Sequence, residues 1–349
     1  MKKKNIIRTA FIAIALLTTA CSQEHELVES NAIAFDVSTS WHNTRALSYA
    51  DVTDLQASTI FVTAKFTSDN THVHFQDEPL SYVSSAWSIN KYYWAPETPM
   101  DFFARAPHDD ANFIEDIVNT NTFRYQVPAG LTNQTDLLCA VSTNKYKEVV
   151  PLAFNHTLSQ ICFTATVEEN WVITINSITI NNIYDTGIYN YNTNTWTVPS
   201  ATSDKQDKDY LFTLASPVSI TGPEATTTAL TAADSHVLIL LPQTLVPWTL
   251  DGKTITQANT EDNYKCYLDI ECRIWDNSIG NYLVGANDFG HIYVPFSGTW
   301  LVGKKYTYNL AFGDGYKPNG DPTTQLVIIK STITDWAENA QKSGWAVFD

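Results

Sequence analysis

The chain has 349 residues, with 21 Lys and Arg against 37 Asp and Glu, and a formal net charge of −16 at pH 7. A surface this acidic repels polyphosphates and anionic lipid, which argues against a nucleic-acid partner. Charged residues make up only 17% while aromatics reach 12%, a balance that suits pleated, half-buried strands better than charge-laced helices.

The chain opens with a basic start (Lys2, Lys3, Lys4, Arg8), an apolar run at 11–17, and the small residues Thr18, Thr19 and Ala20. The apolar run is too short for a bilayer, which takes ~20 residues, so residues 1–20 are expected to be a cleavable signal peptide. Cys21 stands directly after the small residues, as in a bacterial lipobox. The usual Leu three places before the cysteine is replaced by Thr18, with Leu17 one place earlier. Lipidation of Cys21 would make the chain a lipoprotein, held in a membrane by its acyl chains. The signal holds four of the 21 basic residues and no acidic ones, so from Cys21 onward the net charge is −20.

The next informative stretch is AIAFDVSTSWHNTRALS, residues 32–48. Ile33, Phe35 and Val37 point to one side of an extended chain, and Ala34, Asp36 and Ser38 to the other, the pattern of a half-buried strand. A polar segment, His42 to Arg45, follows and should be exposed and cleavable. Cutting between Arg45 and Ala46 would let the strand leave and uncover an apolar groove beside an open sheet edge, which recruits another strand. A single Arg in a polar loop is also an ordinary feature.

Beyond this, the hydrophobic period is two rather than 3.6. Strands are expected at 59–66, 71–75, 123–127, 150–154, 161–167, 171–180, 236–241, 266–275, 306–312 and 325–333, separated by Asn, Asp, Gly and Pro. One short helix is expected within 109–119. Many short antiparallel strands point to an all-β protein built of β-sandwiches. The length suits two domains, 46–167 and 168–349, with the segment 21–45 ahead of them.

No catalytic constellation is present: GxSxG, HExxH and the P-loop are missing, so no enzyme activity, catalytic residue or cofactor is assigned. His72 and His74 share a strand face that should look to solvent, and no metal site is assigned to them. His156 reads as a buried hydrogen-bonding group rather than a base. Asp314, Asn319 and Asp321 offer oxygen ligands in the 313–322 turn without the EF-hand pattern. Cys139, Cys162, Cys266 and Cys272 remain after Cys21. Cys139 and Cys162 sit in apolar runs, where a free thiol packs as a small hydrophobe, although a pair between neighbouring strands is open to them.

Several segments together resemble the fimbrillins of Bacteroidetes. They are TRA (44–46), TIFVTAKF (59–66), KYYWAPETPMDFFARAP (91–107), QTDLLCAVS (134–142), VPLAFNHTLSQICFTA (150–165), TGIYNYNTNTW (186–196), LLPQTL (240–245), WLVGKKYTYNLAF (300–312) and ITDW (333–336). The resemblance implies two tandem transthyretin-like β-sandwich domains after a lipoprotein signal peptide. It implies a pilus subunit or tip adhesin precursor for cell adhesion, lipid-anchored in the outer membrane at the cell surface and then built into a fimbria. It further implies cleavage after Arg45 by an Arg-specific protease, and donor-strand exchange with other fimbrial subunits. A host glycan or protein would be the adhesion ligand. In stalk subunits the C-terminal region donates the strand; here Trp345, Val347 and Phe348 are apolar but alternate poorly. The competing expectation is a monomeric, lipid-anchored glycan-binding lipoprotein that keeps its amino-terminal strand.

Overall fold

A computed structural model describes residues 31–39, 52–107, 112–117, 120–205, 208–232, 237–248, 264–314 and 326–335. In chain order the elements are β1 (Phe35–Thr39), α1 (Val52–Ala57), β2 (Ile60–Phe66), β3 (Asp69–Val83), β4 (Ala86–Ser88), β5 (Met100–Ala106), β6 (Phe113–Ile117), β7 (Thr122–Gln126), β8 (Leu138–Lys145), β9 (Val150–His156), β10 (Ser159–Val167) and β11 (Trp171–Asn181). There follow β12 (Thr186–Asn190), β13 (Thr195–Thr197), β14 (Tyr210–Thr221), β15 (Glu224–Leu230), β16 (Leu238–Leu240), β17 (Thr244–Leu245), β18 (Tyr267–Asp276), β19 (Asn281–Val284), β20 (Gly290–Pro295), β21 (Gly298–Thr299), β22 (Lys304–Phe312) and β23 (Val327–Asp335). The protein is all-β, as its alternating pattern predicts, and each of the ten expected strands falls on one of these elements.

The first sheet has seven strands in the order β1-β9-β8-β5-β2-β3-β4. Its centre, β5, is buried along its whole length. Phe102 enters a core made with Ile60, Val62, Leu152 and Phe154, while Phe103 faces the second, larger core. A strand covered on both faces reads as a continuous apolar run, which is why DFFA does not alternate. The β3–β4 hairpin closes through Ser84 and Ser85, both with φ near +60°, the geometry of a two-residue turn that matches strand twist.

The larger core lies among two five-stranded sheets and one four-stranded sheet. One five-stranded sheet runs β15-β10-β22-β23, with β16 also on β10; the other runs β14-β11-β18-β19, with β20 also on β18. Gly222, in the β14–β15 turn, packs against the β10–β11 turn so closely that a Cβ would stand 2.3 Å from the Glu169 carbonyl. The four-stranded sheet is β13-β12-β7-β6.

Two features depart from the expected pattern. Within 109–119 the described residues form β6, not a helix: Phe113 packs on the rings of Phe123 and Tyr125, and pairing with β7 outweighs local spacing. Not all pairing is antiparallel, since β1–β9 and β10–β22 are parallel. Pairing crosses position 167: β7 joins β12, and β10 joins β15, β16 and β22.

Candidate assembly site at the amino-terminal strand

The segment 32–39 sits between two edges. On one side β1 runs parallel to β9 in unbroken register, Phe35 opposite Val150 through Thr39 opposite Phe154, and the Val150 N–H donates to the Ala34 carbonyl at 2.8 Å. On the other side Ala32 bridges Tyr93, and the Ile33 N–H donates to the Tyr92 carbonyl at 2.9 Å. Ile33, Phe35 and Val37 are 5%, 7% and 6% exposed, whereas Ala34, Asp36 and Ser38 face solvent. The Phe35 ring meets Phe102 edge to face at 5.7 Å.

The walls of this groove are anchored independently of the strand that fills it. Phe102 also contacts Trp94 at 5.8 Å and Phe75 at 6.4 Å. The 90–94 segment is tied to β3: Tyr92 stacks on Phe75 at 4.3 Å, His74 Nε2 lies 3.0 Å from the Tyr93 carbonyl, and the Asn90 amide donates to Glu78 at 2.9 Å. A hydrogen bond with Glu78 raises the Tyr92 hydroxyl above its ordinary value, with a smaller push from burial. The β9 wall is held differently. Its last two residues, Asn155 and His156, pair with Cys139 and Leu138 of β8, while residues 150–154 find their register partner in β1. Taking away β1 would therefore expose an apolar floor, two sets of backbone groups, and a half-supported strand.

Cys21, Arg45 and Ala46 lie outside the described residues, as do Asn319, Asp321, Trp345, Val347 and Phe348. Asp314 forms an ion pair with Lys330 at 2.7 Å. His72 and His74 pack their rings on Phe66, and no group of three metal-ligating side chains occurs among the described residues. His156 is buried and its Nδ1 lies 2.7 Å from Asp136, a structural pair at the end of β9. Cys139, Cys162, Cys266 and Cys272 are free thiols. Burial pushes Cys162 upward and Cys272 up to about 12. Sequence reasoning found the buried face of the strand but neither its parallel partner nor the Tyr92–Tyr93 edge. The one available signal was the strict alternation of VPLAFNH, which β9 obeys along its length.

Residues 44–336 match the Fimbrillin-like family. The chain belongs to that family. A fimbrial protein of Bacteroides vulgatus has a similar structure, with 16% sequence identity, 87% of this chain and 99% of that chain covered, and a TM-score of 0.60. The fimbrial anchor protein Mfa2 of Porphyromonas gingivalis is more distant, with 12% identity, 87% and 97% coverage and a TM-score of 0.37. No curated protein matches the chain in sequence. Membership in this fimbrillin-like family supports a fimbrial or adhesive, structural role at the cell surface. The matched region begins at residue 44, so the strand at 32–39 precedes it.

Proposed function

We propose that this fimbrillin-like chain is the precursor of a fimbrial subunit or tip adhesin that assembles by exchanging its amino-terminal strand. The observation that carries the reading is the double role of residues 32–39: one face, Ile33, Phe35 and Val37, is buried like core, yet the strand stands at a sheet edge, between β9 and the Tyr92–Tyr93 segment. The signal of residues 1–20 directs export, and Cys21 takes the lipid that holds the precursor in the outer membrane. An Arg-specific protease cuts between Arg45 and Ala46. The strand then leaves, and an extended segment of another subunit enters the groove. Backbone bonds to β9 and Tyr92 supply affinity, and the pockets vacated by Ile33, Phe35 and Val37 supply register. Because donor and acceptor surfaces differ, the contact is heterologous and propagates. The same reading keeps two sandwich domains of transthyretin-like type, divided near 167, with β6, β7 and β10 completing the sheets of the second.

The test is assembly in solution. Purified precursor is treated with an Arg-specific protease and followed by size-exclusion chromatography, beside an Arg45→Ala variant. Cut protein should form multimers, an excess of a peptide spanning 32–39 should suppress them, and the variant should stay monomeric. Multimers from uncut Arg45→Ala, or none from cut wild type, would reject strand exchange through this groove.

A further inference from the structure

Lys65 lies on β2, on the face turned away from the strand groove, and is 1% exposed. Its Nζ donates to Oδ1 of Asn121 and packs over the Phe103 ring, 5.5 Å from the centroid. Asn121 is itself 6% exposed and is fixed on several sides. Its Nδ2 donates to Asn192 at 3.3 Å, its carbonyl accepts from the Tyr191 N–H at 3.0 Å, and its backbone is left-handed with φ of 54°. Lys65 and Asn121 line one small cavity with Asp77, Arg105, Thr122 and Tyr191. Asp77 is the carboxylate among the described lining residues, and Arg105 holds it at 3.2 Å.

A buried primary amine and a buried carboxamide thus share one small cavity with a half-buried carboxylate. We propose that Lys65 and Asn121 condense into an intramolecular isopeptide bond, with Asp77 as proton carrier. Asp77 takes a proton from the Lys65 ammonium, which frees the Nζ lone pair. Nζ attacks Cγ of Asn121 and a tetrahedral adduct forms. Asp77 passes its proton to Nδ2, the Cγ–Nδ2 bond breaks and ammonia departs, taking the second proton that Nζ carries in the adduct, so the leaving group ends as ammonium, the new amide is neutral and Asp77 is regenerated. One N–C bond forms and one breaks, so no oxidant, nucleotide or metal is required. Fixing amine and amide in contact replaces a bimolecular encounter with a unimolecular step, which is the main rate contribution such a site can make.

The placement gives the bond a use. Lys65 belongs to the seven-stranded sheet, and Asn121 directly precedes β7 in the four-stranded sheet. The cross-link would add a side-chain covalent tie between two sheets linked by the main chain, packing and hydrogen bonds, and it would resist their separation under load. It forms whether or not the amino-terminal strand is removed.

Mass spectrometry of the full chain purified from cells decides the matter. The wild type should be one ammonia lighter than its sequence, and digestion should release a branched peptide joining the segments around Lys65 and Asn121. Lys65→Met, Asn121→Ala and Asp77→Asn should each lack the branched peptide. Wild-type protein of full mass, or ammonia loss without the branched peptide, would leave an ordinary hydrogen bond and overturn the proposal. The wild-type measurement does not depend on any variant folding.

Discussion

Phe35 ties the amino-terminal segment to the first core, through Phe102 and the neighbouring ring cluster. Phe35→Ala should destabilise the uncut precursor by about 3–5 kcal/mol in urea unfolding, the usual range for a buried phenylalanine. Phe35→Asp should cost more, since it also buries an unpaired charge. Asp36, one residue along, faces solvent, and Asp36→Ala should stay within about 0.5 kcal/mol. A melt in which the two positions behaved alike would deny β1 its place in the core. The alternation of Ile33, Phe35 and Val37 was readable because burial on one face of a strand repeats every second residue. The pairing of Lys65 with Asn121 was not, since contact between residues 56 apart is set by how sheets stack. The thiols belong to the same scale. Cys162, Cys266 and Cys272 are all shifted upward by burial, so the protonated, unreactive form dominates at neutral pH. Of these, the buried Cys266 and Cys272 should resist alkylation by iodoacetamide until denaturant is added, and ready labelling of either in the folded protein would contradict its burial.

Among the elements, β9 depends on the arriving or departing strand more than any other wall of the groove. Residues 150–154 are registered with β1, and only Asn155 and His156 are registered with β8. Hydrogen exchange should show the difference, because protection tracks local opening. In protein cut after Arg45 and freed of the strand, the amides of 150–154 should exchange faster, and a peptide spanning 32–39 should restore their protection. The amides of β5, buried at the sheet centre, should remain slow throughout. Strand positions were largely legible from period-two patterning, but strand partners were not. Parallel β1–β9 and β10–β22 pairs join segments far apart in sequence, and local alternation carries no information about which edge a strand will meet. The 113–117 stretch went the other way: its spacing suited a helix, and the aromatic ladder of Phe113, Phe123 and Tyr125 made it a strand.

For the whole molecule, pH dependence follows from what is buried. The folded-state pKa of Cys272 is raised from about 9 to about 12, and Tyr189, Tyr210 and Tyr308 are likewise shifted upward, chiefly by burial. A group whose folded pKa exceeds its unfolded one contributes stability that is fully present below the unfolded value and lost as pH rises toward the folded value. Thermal stability should therefore show no loss from these groups at neutral pH and should fall progressively above about pH 9, the ordinary value of the thiol. A midpoint that held constant to pH 12 would contradict the burial of this thiol and these phenols. At the same scale, strand exchange requires a molecule that folds with its own strand in place and reopens the groove only after export. The proposed lipidation site Cys21, the buried strand at 32–39 and the proposed cleavage site at Arg45–Ala46 occur in that order along the chain, the order in which an exported chain would use them.

The most direct test of this account is the amino terminus and intact mass of the protein sheared from the surface of native cells. A chain beginning at Ala46 is the predicted result. A chain beginning at acylated Cys21, with residues 32–39 still attached, would contradict strand removal and leave a permanently closed, lipid-anchored monomer.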